Sequence, residues 1–199
     1  AIDLFRGAIH RDSITGNEAN VVAYLADAMR KLGLSDVTTA DFLPGRPNVW
    51  GERKGAGGGK RLLFIGHTDV VHVDGWRENW AGTEREDPFG AAIVDGAIWG
   101  RGAGDLKAGI TSSLAAMALL DAAGIQLAGD VSLAFVGDEE SGQPGTGCEA
   151  GADGGDHTDT RDGLSSDARD ETYEETLAQA DAEAEERLDS FASPHLRQA

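Results

Sequence analysis

The sequence predicts an α/β domain whose sheet is largely parallel and flanked by helices. Apolar residues recur at helical spacing in two segments, and short apolar runs lie between and beyond those segments. Glycines mark the junctions.

In chain order, Asn17 to Leu32 reads as a helix. Val21, Val22, Leu25, Ala28, Met29 and Leu32 fall on one face, and Gly33 stops it. Asn48–Arg53 and Arg61–Ile65 read as strands joined by Lys54–Lys60. The glycines of that connection need no role beyond a flexible turn. Leu106–Ala123 is a second helix, closed by Gly124. Val131–Val136 is a continuous apolar run of the kind found in buried strands.

Beyond Gly142 the periodicity fades, and the composition shifts near Cys148. Residues 1–148 carry 20 acids and 13 bases, whereas residues 149–199 carry 15 and 4. Residues 1–148 are therefore assigned to one α/β domain. Residues 149–170 form an acidic linker rich in glycine and aspartate. Residues 171–191 form an acidic amphipathic helix with Tyr173, Leu177, Ala180, Ala184, Leu188 and Phe191 on one stripe, suited to packing.

The net charge of −18 opposes binding to nucleic acid or an anionic membrane, so neither is expected as a partner. No apolar run is long enough to cross a membrane, and Ala1–Ile9 lacks the pattern of a signal peptide. A cytoplasmic location is expected. So many acids with only four lysines also suit a salty cytoplasm, where screening relieves self-repulsion. The melting temperature should then rise from dilute buffer to molar potassium chloride; a flat response would contradict this reading. The single cysteine, Cys148, excludes a thiolate metal cluster, so a bound metal must be held by imidazole and carboxylates.

Three polar clusters sit where strands or loops end. In Gly66-His67-Thr68-Asp69, residues two apart face the same way along an extended chain. His67 can therefore bind a metal while Asp69 accepts the proton of its other ring nitrogen. A strand-end histidine beside an unrelated aspartate is the alternative. Gly100-Arg101-Gly102-Ala103-Gly104-Asp105 runs into a helix, and Asp105 is either a helix cap or a metal ligand. A phosphate loop is disfavoured, because the Walker spacing is absent and an acid ends the segment. In Asp138-Glu139-Glu140, adjacent acids repel unless a cation sits among them. One glutamate can bind metal while its neighbour faces the attacking water, and a merely solvated acidic turn is the alternative. The absence of a Gly-x-Ser-x-Gly motif favours water over serine as the nucleophile.

Taken together, Gly66-His67-Thr68-Asp69-Val70-Val71, Trp80, Asp87-Pro88-Phe89, Asp95-Gly96, Gly100 to Lys107 and Glu139-Glu140-Ser141-Gly142 resemble the peptidase M-twenty family. Its members include acetylornithine deacetylase, succinyl-diaminopimelate desuccinylase, aminoacylase and glutamate carboxypeptidase. The resemblance runs from Ser13 to Gly147 and implies that residues 1–148 are a partial catalytic α/β domain. It implies two divalent ions, zinc with cobalt or manganese as alternatives, in which His67 binds one, Asp105 bridges both and Glu140 binds the other. Glu139 is implied as the general base, Asp69 as the residue that orients His67, and the peptide bond after Asp105 as cis. The implied reaction is hydrolysis of an amide in a small N-acyl amino acid or peptide. Glu139 would take a proton from water and pass it to the leaving amine. Full-length members of the family are implied to be homodimers.

The chain also departs from that pattern. Members are about twice as long and supply a further carboxylate ligand, a lid domain and a final histidine. Asp159 and Asp162 lack the surroundings of the missing carboxylate, and His157 and His195 lack those of the terminal histidine. An internal deletion, a frameshift or a fragmentary gene would each give such a chain. Little or no hydrolase activity is expected of it as written. The competing expectation is a non-catalytic metal- or peptide-binding remnant with an acidic interaction tail; a divalent-metal phosphatase is disfavoured by the lack of basic residues beside the acids.

Overall fold

The structure, a computed structural model, describes residues 1–141. Cys148, His157, Asp159, Asp162, His195 and the segments 149–170 and 171–191 lie outside the described residues.

The expected mixture of strands and covering helices is present. Helices α1 (Ile2–Ile9) and α2 (Ala19–Lys31) precede strands β1 (Ser35–Leu43), β2 (Arg46–Arg53) and β3 (Leu62–His67). A short helix α3 (Trp76–Trp80) and a small hairpin of β4 (Ala92–Val94) and β5 (Ala97–Trp99) follow. Helix α4 (Ala108–Ala122) and strand β6 (Val131–Val136) complete the described residues. None of these helices is long and apolar enough to cross a membrane.

The helical periods identified α2 and α4 to within two residues at each end, and the apolar run identified β6 (Val131–Val136). The sheet, however, is mixed rather than largely parallel. Its order is β1-β2-β6-β3, with only β3 and β6 parallel and the other two pairings antiparallel. A hairpin at Pro44-Gly45, where Gly45 supplies φ 76° and turns β1 back against β2, accounts for the first of these pairings.

Strands β2 and β3 are not neighbours; β6 lies between them. Their glycine-rich connection therefore crosses the entry to β6, with Ala56 N donating to Leu127 O (2.8 Å) and Gly57 N to Ala128 O (2.9 Å). A Cβ on Gly55 or Gly59 would collide with the Gly129 backbone, and one on Gly129 would overlap the Lys60 carbonyl. These glycines are required for close backbone approach, which corrects the expectation of a merely flexible turn. Gly129→Ala should destabilise the fold by about 1–3 kcal/mol, read from urea unfolding, because the clash is with backbone that cannot rotate away.

One core joins the helices to the sheet. Val21, Val22, Leu25 and Met29 of α2 and Ile110, Leu114 and Met117 of α4 meet Val49 of β2 and Val131, Leu133 and Phe135 of β6. Alternate β6 residues are buried, as a strand with one face on the core requires. Each such large side chain contributes about 1.5–3 kcal/mol by burial. The edge strand β3 is less covered: Leu63 is 52% and Ile65 65% exposed. That fixed layer of helices and strands holds the carboxyl ends of β3 and β6 side by side.

Candidate metal centre

His67 is the last residue of β3 and pairs in parallel register with Val136, the last of β6. The acids Asp138-Glu139-Glu140 follow after Gly137, so two of the clusters emerge at one end of a parallel strand pair, where α/β sheets present their ligands. Thr68 fastens the two exits together, its N–H donating to Val136 O at 2.7 Å and its hydroxyl to the same oxygen at 3.0 Å.

The third cluster arrives through the turn Ala103–Lys107 that precedes α4. Asp105 and Leu106 there have non-helical dihedrals, and the Asp105–Leu106 peptide bond is cis. Helix α4 consequently starts later than its apolar pattern suggested, without a side-chain cap. The Asp105 carboxylate instead places Oδ1 2.9 Å from His67 Nε2. Gly102, at φ 77°, permits this path, and a Cβ there would strike Val70 and Lys107. Lys107 is buried, and its ammonium donates to Arg11 O at 2.8 Å, tying this turn to the residues after α1. Burial lowers its pKa to about 8, against the charge of Asp12, which raises it.

Four of the five residues singled out in the sequence converge, and the fifth lies directly behind them. His67, Glu139 and Glu140 each bring one ligand atom within 4.8 Å of the others. His67 Nε2 is also 3.9 Å from Glu139 Oε2. On the other side of the ring, Nδ1 lies 3.0 Å from the Asp69 backbone carbonyl and 3.5 Å from its carboxylate oxygen Oδ1.

Asp69 is fully buried and is the most heavily partnered group in the cluster. Its carboxylate accepts from Thr15 Oγ1 (3.0 Å), from Glu139 N (3.1 Å) and from Glu140 N (3.1 Å). It thereby joins α2's approach, the end of β3 and the glutamate turn at one point. Burial alone would raise its pKa, but the His67 ring, the two amides and Thr15 outweigh this and hold it near 2. The Asp69 carboxylate raises the His67 pKa to about 9; burial opposes this, and Asp105 adds to it. Burial pushes the Glu140 carboxyl upward, and the negative charge of Asp105 adds to that.

The donor set fits a hard or borderline divalent cation: one imidazole nitrogen and several carboxylate oxygens, partly exposed and mutually repelling. A cation beside Asp138 is present within the protein itself. The Arg46 guanidinium reaches both Asp138 and the buried Glu18. Sequence reasoning missed Arg46, Glu18 and Thr15, none of which has a local pattern that marks it.

Comparison with known proteins identifies the family. The profile of peptidase family M20/M25/M40 matches residues 63–192. The chain is 36% identical over 144 residues to a succinyl-diaminopimelate desuccinylase of Methylobacterium radiotolerans, covering 70% of this chain and 35% of that protein. It is 36% identical over 132 residues to the N-formyl-4-amino-5-aminomethyl-2-methylpyrimidine deformylase of Bacillus subtilis, covering 65% of this chain and 30% of that one. Among solved structures, an M20-family metallo-carboxypeptidase of Sulfolobus solfataricus superposes with a TM-score of 0.57 at 27% identity, over 68% of this chain and 30% of that one. The chain thus spans about a third of the length of the relatives it matches. It belongs to peptidase family M20/M25/M40.

Proposed function

We propose that this chain carries part of the site of a metal-dependent amidohydrolase acting on N-acyl amino acids or small peptides. The observation that carries the reading is the convergence of His67, Glu139 and Glu140 ligand atoms within 4.8 Å, with Asp105 hydrogen-bonded to the same histidine. The names of the relatives support the substrate class, since a desuccinylase and a deformylase each remove an acyl group.

In this reading His67, Asp105 and Glu140 would hold the divalent ions, zinc by preference. When bound, such ions polarise an amide carbonyl and acidify water. The protein's own residues do the rest. Asp69 fixes the ring of His67 through Nδ1 and leaves Nε2 facing the cluster. Its carboxylate also holds the backbone of both glutamates, setting where their side chains begin. Glu139, 43% exposed at its side chain, is free to take a proton from water and return it to the leaving amine.

Binding without turnover is the second reading, favoured by the donor count: the group among the described residues contains a single imidazole. The two are separated by assaying N-succinyl and N-acetyl amino acids with zinc or cobalt added. Cation binding without turnover from the 199-residue chain would favour the second reading. Turnover abolished by a chelator would establish the hydrolase reading for this chain directly. Failure to bind either ion would refute both readings.

A further inference from the structure

We propose that Arg46 is a positioning residue for the Glu139–Glu140 pair, acting through Asp138. This rests on reading the cluster as a cation site. Asp138, the residue before the pair, adopts a left-handed backbone with φ 69°, uncommon for a non-glycine residue. Something must hold it there, and the surrounding contacts identify the restraint.

Arg46 begins β2, and its guanidinium bridges two carboxylates. Nε and Nη2 engage both oxygens of Glu18, and Nη2 also reaches Asp138 Oδ1. Glu18 is fully buried and Asp138 nearly so. Glu18 also accepts from Gly16 N at 2.9 Å, and the Phe42 ring lies 5.0 Å from the guanidinium carbon. On the turn itself, Ser141 Oγ donates to Asp138 Oδ1 at 2.8 Å, and Gly137 N donates to Asn48 Oδ1 at 2.9 Å. A Cβ on Gly137 would meet the Phe42 ring, so the turn is packed as well as hydrogen-bonded.

Two anchors therefore flank the short path from β6 to the glutamates. Arg46 fixes Asp138 from the β2 side, and Asp69 fixes the amides of Glu139 and Glu140 from the β3 side. A fork that contacts two carboxylates at once is a geometry that arginine supplies and lysine does not. Arg46 does not touch His67, Asp105 or either glutamate in the hydrogen bonds and ion pairs described, so its effect on the cluster must pass through the turn.

The test uses the full 199-residue chain and two readouts. The first, amide hydrogen exchange at Glu139 and Glu140, requires no cation. Arg46→Met should raise exchange at these amides about tenfold relative to the β6 amides, and Arg46→Lys should recover only part of the loss. Because Arg46→Met strands two buried carboxylates, a triple variant Glu18→Gln, Arg46→Met, Asp138→Asn removes all three charges together and keeps the fold accessible. It should show the same local loosening. The second readout is cobalt affinity, expected to fall about tenfold in Arg46→Met and to change much less when Glu140→Gln is already present. Unchanged exchange at the two amides in both variants would overturn the proposal, and so would an equal loss of affinity with and without Glu140. A wild-type chain that binds no cobalt would refute the cation reading, while the exchange readout still decides the positioning role.

Discussion

Asp69→Asn is expected to weaken divalent-cation binding by about 10–100-fold, the usual cost of removing the partner that orients a ligand histidine. It should also destabilise the fold by about 3–5 kcal/mol, the cost of breaking a buried, hydrogen-bonded charge pair. Both effects follow from one carboxylate serving several donors. It faces His67 Nδ1 and accepts from Thr15, Glu139 N and Glu140 N while fully buried. An asparagine keeps the shape but has only one acceptor oxygen, so one of its amide hydrogens must point at a donor. Since the Asp69 pKa is held near 2, below its ordinary 3.8, its stabilisation is present above pH 3.8. It is lost as the pH falls through 2, and the Asn variant should lack that acid transition. Urea unfolding of both proteins between pH 2 and pH 7 checks this; equal stability across the range would contradict it.

The second large effect is the pH dependence of cation binding. With its pKa raised from 6.5 to about 9, His67 holds a proton at neutral pH when no cation is bound. A cation competes with that proton, so apparent affinity should rise about tenfold per pH unit below pH 9 and level off above it. Competition with a chromophoric chelator between pH 6.5 and 8.5 should show a gain of about 100-fold. In the protein without cation the sign is reversed. A histidine whose folded pKa is raised contributes stability that is fully present below pH 6.5 and lost as pH rises through 9. Affinity that does not change with pH would place the cation elsewhere than on His67.

Much of this arrangement is legible in the sequence, and the exceptions have physical causes. Helices α2 and α4 and strand β6 bury a periodic face, and burial is what writes periodicity into a sequence. Strand β1 was missed because its residues are almost all exposed or half-buried, so no alternation of apolar residues marks it. The polarity of the sheet was misjudged because strand runs carry no record of which strand they pair with. Strands β2 and β3 are consecutive in the chain and yet flank β6. His67, Asp105 and the glutamates stood out because each ends a recognisable segment. Arg46 did not, because its partners Glu18 and Asp138 lie 28 and 92 residues away in sequence. The chain's own cation beside Asp138 was therefore visible only in the folded structure.

Whether His67, Asp105 and Glu140 hold divalent cations is tested most directly by cobalt(II) absorption spectroscopy on the 199-residue chain. The wild-type protein should develop saturable visible bands on titration with cobalt, reversed by a chelator. His67→Ala should abolish them, and Asp105→Asn and Glu140→Gln should each weaken binding by about tenfold or more. A wild-type chain with no saturable cobalt spectrum, or a His67→Ala variant that binds as the wild type does, would contradict the assignment of this cluster as a metal centre.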